Sequence, residues 1–66
     1  MKMIIHYDGN TYETPSTDEA TVADCAEALY SDLQRMNKLK IELKDGGFLL
    51  LGEQAVRRCA IMVLDS

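Results

Sequence analysis

Apolar and polar positions alternate with a period that changes along the chain, and each change marks an element. Lys2 to Tyr7 carries Ile4, Ile5 and Tyr7, residues that suit a pleated surface, and predicts a strand. Asp8-Gly9-Asn10 predicts a turn, because Gly and Asn accept the positive φ of a tight reversal. Thr11 to Thr14 returns as a short second strand, and Pro15 ends it because proline cannot donate to the ladder. Ser16-Thr17-Asp18-Glu19 fits a capping box, with the Ser16 hydroxyl and the Glu19 carboxylate each satisfying a free backbone N–H. Val22, Cys25, Leu29, Leu33 and Met36 then recur at spacings of three and four, with Ala26 beside them. They form one stripe of a helix spanning about residues 17–36. Asp24, Glu27, Ser31, Gln34 and Arg35 fall opposite, and Asn37 suits a left-handed stop.

Beyond the helix the period drops to two. Leu39, Ile41 and Leu43 point one way and Lys38, Lys40, Glu42 and Lys44 the other, which predicts a half-buried strand over 38–44. Asp45-Gly46-Gly47 is a hairpin turn. Phe48 to Leu51 is a strand too apolar to be one-sided, and Gly52-Glu53-Gln54-Ala55 is a turn or a single helical turn. The last strand starts at Val56 or Arg58 and runs to Leu64. Cys59, Ile61 and Val63 share one of its faces; Ala60, Met62 and Leu64 share the other.

The order β-β-α-β-β-β over residues 1–66 predicts one small α+β domain, an antiparallel sheet with a single amphipathic helix on one face. Sequential hairpins imply a meander after the helix, with a strongly curled, barrel-like sheet as the alternative. The helix stripe covers one sheet face. On the other, Phe48, Leu50, Ala60, Met62 and Leu64 are left without cover. Burying one Leu or Met side chain stabilises by about 1.5–3 kcal/mol, so several left wet forgo an amount comparable to a small domain's stability. These five residues are therefore the expected interface, and a symmetric dimer through the outer sheet face or the final edge strand is favoured. A curled sheet that buries both faces internally is the competing explanation.

Size sharpens the point. Sixty-six residues bury only about 60% of the surface that the unfolded chain exposes. Chains below about 70–80 residues usually add disulfides, a metal or a partner. Cys25 and Cys59 are the only cysteines, no segment has the pattern of a signal peptide, and no run reaches the ~18 apolar residues of a membrane span. A cytoplasmic, thiol-reduced setting is expected. One His and two separated Cys make no metal-ligand set, and no cofactor motif is present. Self-association remains.

Net charge is −4 and uneven: Asp8, Glu13, Asp18, Glu19, Asp24, Glu27 and Asp32 share residues 1–34 with Lys2 alone among the bases. Acidic balance argues against nucleic acid as a partner, although Arg57 and Arg58 with Lys38, Lys40 and Lys44 could stripe a sheet face beside Tyr7 and Tyr12. The acidic helix face, Asp24 and Glu27 flanked by Asp18 and Asp32, offers carboxylates to a basic partner, with a simply solvated face as the plainer explanation. His6 and Asp8 share a strand edge with no nucleophile or third ligand near in sequence, so a surface histidine beside a turn aspartate accounts for them. Cys25 and Cys59 read as small core hydrophobes. Gly9, Gly46, Gly47 and Gly52 sit at turns, outside any phosphate-binding pattern.

In size and charge the chain resembles the small acidic accessory proteins encoded by phages and mobile elements. The resemblance implies a regulatory role and carries no motif, so no functional residue follows from it. Two classes of function stand open. In the first, a non-enzymatic homo-oligomer binds and modulates or inhibits a protein partner. In the second, an oligomer holds a nucleotide-like small ligand between subunits, with Arg57, Arg58, Tyr7 and Tyr12 lining the pocket. No acid/base or nucleophile pair supports an enzyme.

Overall fold

The computed structural model describes residues 1–65. Five strands and two helices alternate as β1 (Lys2–Tyr7), β2 (Asn10–Glu13), α1 (Val22–Met36), β3 (Leu39–Glu42), β4 (Phe48–Leu51), α2 (Glu53–Arg58) and β5 (Ala60–Leu64). The α+β class, the strand order and the antiparallel pairing match the sequence pattern.

The first hairpin forms because Asp8 and Gly9 both take positive φ, 52° and 80°, the twist that a two-residue loop between right-twisted strands requires. Its register sets Ile5 opposite Tyr12 and Tyr7 opposite Asn10. The second hairpin, β3–β4, closes on a Leu43 N–H to Gly47 carbonyl bond of 2.7 Å and a Gly46 N–H to Leu43 carbonyl bond of 3.0 Å. Gly46 stands at φ 95°, a value that a side chain would strain.

Several boundaries differ from the sequence expectation. The helix starts at Val22, not near residue 17, and its N-cap is Thr21, whose hydroxyl accepts from the Asp24 N–H at 3.1 Å. Ser16 cannot cap because the chain around it is still pairing with β1. The Thr17 N–H donates to the Met1 carbonyl and the Met1 amine to the Thr17 carbonyl, both at 2.8 Å. Thr14 is buried there; its hydroxyl accepts from the Met3 N–H at 2.8 Å. The left-handed stop at Asn37 is present, φ 55°, its N–H bonded to the Leu33 carbonyl. The strand expected over 38–44 is shorter, Leu39–Glu42. The expected single turn after β4 is a six-residue helix that takes in Val56 and Arg58, so β5 begins only at Ala60.

The expected meander after the helix does not form. β5 leaves β4 through α2 and returns to pair with β1, with Ile61 opposite Ile5 and Met62 opposite Ile4. The strands therefore make two sheets, β2-β1-β5 and β3-β4. One backbone bond, Lys44 N–H to the Glu13 carbonyl at 3.0 Å, links them. Lys44 and Lys2 also reach the Glu13 carboxylate, at 3.2 and 3.7 Å. The inner faces meet over Ile5, Ile41 and Leu51, the three buried hydrophobics among the described residues. Met3, Tyr12, Leu39, Leu49, Val56 and Ile61 pack around them. Neither a single meander nor a curled sheet that buries both of its faces describes the arrangement, since the strands split into two sheets and Phe48, Leu50, Met62 and Leu64 stay exposed. α1 packs against β5 and β3 but buries none of its own residues; its stripe is half-buried and Met36 is exposed.

Candidate functional site

Strand alternation places the outward side chains. On the β3–β4 hairpin, Phe48 and Leu50 point away from the core and are 57% and 70% exposed. Their cross-strand neighbours are Glu42 and Lys40. The Lys40 ammonium lies 4.8 Å from the centre of the Phe48 ring, within cation–π range. Beside them a hollow of about 380 Å³ is lined by Met36, Lys38, Leu39, Leu50 and Leu51. This face sets a wet aromatic and a wet aliphatic side by side with a cation at their edge.

On the three-stranded sheet, the outward residues of β5 are Ala60, Met62 and Leu64, all exposed. Ile4 of β1 stands opposite Met62, half-buried, and His6 stands opposite Ala60. The five residues expected to share one sheet face are thus divided between two sheets, because β5 joins β1 instead of β4. The consequence is two apolar outer surfaces, not one.

The remaining candidates are more dispersed. Arg57 and Arg58 stand exposed in the last turn of α2, and Arg57 is bonded to Glu53 at 3.3 Å. Tyr12 packs against the core and Tyr7 is half-buried at the end of β1. Among the described residues the one cation over an aromatic ring is Lys40, so no such contact joins these arginines to either tyrosine. Asp24 and Glu27 are exposed on α1. His6 is exposed, its Nδ1 3.2 Å from the Thr11 hydroxyl. Cys25 and Cys59 are free thiols, both half-buried. Burial pushes the Cys59 thiol up from its ordinary value, partly opposed by a backbone hydrogen bond. Its sulfur donates to the Val56 carbonyl at 3.4 Å.

One feature absent from the sequence reading is a groove of about 210 Å³ between α1 and the inner side of β5. Ala26, Leu29, Tyr30 and Leu33 form one wall, with Ile61 and Val63 opposite. Tyr30 is 65% exposed. The signal was present as a second stripe, since Ala26, Tyr30 and Leu33 are also at helical spacing. Among the described residues no group of three His, Cys, Asp or Glu is placed to hold a metal ion, and no helix is long and apolar enough to cross a membrane.

No family model, curated protein or solved structure matches the chain.

Proposed function

We propose that the protein is a non-enzymatic interaction module. It acts as a homo-oligomer, favouring a dimer, that binds and modulates or inhibits a protein partner. One observation carries the reading. Among the described residues three hydrophobic side chains are buried, while Tyr30, Met36, Phe48, Leu50, Met62 and Leu64 stand exposed. A core that thin, in a chain that can shelter little more, is completed by association. The two outer surfaces divide the work. The β5 surface serves self-association. The Phe48–Leu50 surface, with Lys40 at its edge, takes the partner, whose matching patch is apolar with a carboxylate at its rim.

Light scattering at micromolar concentration tests the first half. Twice the chain mass is expected, and a single-chain mass overturns the oligomer. Affinity capture from the native cell tests the second, comparing the wild type with the double variant Phe48→Ser, Leu50→Ser. A protein held by the wild type and lost by the variant is expected; equal capture by both overturns the assignment of that surface.

A further inference from the structure

We propose that two copies pair edge to edge through β5, antiparallel, with Met62 of one facing the partner's Met62 across a two-fold axis. The proposal rests on the reading that the protein self-associates, and it names the strand and the register that do so.

Ladder phase comes first. Met3 directs both its backbone groups toward β2: its N–H donates to the Thr14 hydroxyl and its carbonyl accepts from the Thr14 N–H. Alternation then turns Lys2, Ile4 and His6 toward β5, where their register partners are Leu64, Met62 and Ala60. The N–H and C=O groups of Ile61 and Val63 are left pointing outward from the sheet. β5 is one of the two edges of that sheet, and among the described residues no other element's backbone bonds to Ile61 or Val63. Natural edges are guarded by charge, proline or a bulge. β5 reads Ala-Ile-Met-Val-Leu and carries none of the first two.

The sequence of β5 complements itself when reversed about Met62. Ile61 falls opposite the partner's Val63, and Val63 opposite the partner's Ile61. Both are two-way bonded pairs, so all the outward backbone groups of these residues are satisfied at once. Ala60 falls opposite the partner's Leu64, small against large. On the inner side, Ile61 and Val63 line the groove beneath Tyr30, so the joined strands extend an apolar floor that both α1 helices flank.

β4, an edge of the two-stranded sheet, fails the same requirements. Its outward backbone groups belong to Phe48 and Leu50, as the Leu43 to Gly47 bond fixes the phase. Setting Phe48 opposite the partner's Leu50 places Asp45 across from the partner's Glu53, a repulsive pair. Pairing β4 antiparallel with the partner's β5 aligns the outward Phe48 and Leu50 with the inward Ile61 and Val63, so the sheet faces do not match.

Disulfide trapping tests the register. A non-hydrogen-bonded antiparallel pair holds its Cα atoms about 4.5 Å apart, within reach of a disulfide. Met62→Cys is expected to cross-link to a double-mass species under mild oxidation at micromolar concentration, reversibly on reduction. Leu50→Cys and the wild-type chain, which retain Cys25 and Cys59, are expected not to. Val63→Pro removes an outward N–H that β1 does not use; it is expected to halve the particle mass with an unchanged far-ultraviolet dichroism spectrum. A dimeric mass without trapping at Met62→Cys overturns the β5 register while leaving self-association intact. Trapping at Leu50→Cys instead also overturns it. A monomeric wild type overturns self-association and register together.

Discussion

Truncating Ile5 and Leu50 to alanine should have very different costs, although both are aliphatic residues in short strands. Ile5 is 0% exposed at the centre of the core, whereas Leu50 is 70% exposed. Removing buried methylenes costs about 0.8 kcal/mol each, and the cavity left behind adds to it, so Ile5→Ala should lose about 2–5 kcal/mol. The cavity term is high here because Ile41 and Leu51, its buried neighbours, belong to the other sheet. Collapse onto the vacancy would require the two sheets to shift together. A domain of 66 residues has a total stability of about 3–10 kcal/mol at the usual value per residue. Ile5→Ala therefore removes about a fifth of it or more. Leu50→Ala gives up only the sheltered part of its side chain, less than about 1 kcal/mol. Urea titration followed by far-ultraviolet dichroism measures both, at one low protein concentration so that association adds equally. Equal losses at the two positions, or a loss below about 1 kcal/mol at Ile5, would refute the two-sheet core.

Two further outcomes follow from local structure. Thr21→Ala should cost about 1 kcal/mol in the same titration, because the Asp24 N–H loses its acceptor, whereas Ser16→Ala should cost a few tenths at most; the reverse ranking would place the helix start where the capping box suggested. The Cys59 thiol, raised by burial above its ordinary value of 9.0, should react with iodoacetamide more slowly than an unstructured thiol at pH 8. The unfolded chain gives up that proton first as pH rises, so the stability the neutral thiol contributes is intact below about pH 9 and declines above it; a Cys59→Ala chain should lack that part of the alkaline decline, as a pH series of melting curves would register.

Local order was legible because it rests on neighbours in sequence. Asp8-Gly9 and Gly46 adopt the positive φ that turn chemistry demands, Asn37 takes the left-handed stop, and the strand–strand–helix–strand–strand–strand order follows from spacing. Outward placement of Phe48 and Leu50 followed from alternation once the hairpin was located. The helix begins later than the Ser16 capping box suggests, because the Thr21 hydroxyl supplies the cap instead. Backbone hydrogen bonds of Thr17 with Met1, sixteen residues distant, hold the Ser16 segment out of the helix. The fate of β5 was hidden for the same reason. Its alternating pattern is satisfied equally by β4 or by β1, and α2 carries it to β1. The chain's pattern thus set which residues form strands and which of their faces are apolar, since both depend on short-range stereochemistry. Which strands meet, how the apolar faces split between two surfaces, and which edge stays open depend on long-range pairing, and only the folded chain chose among them.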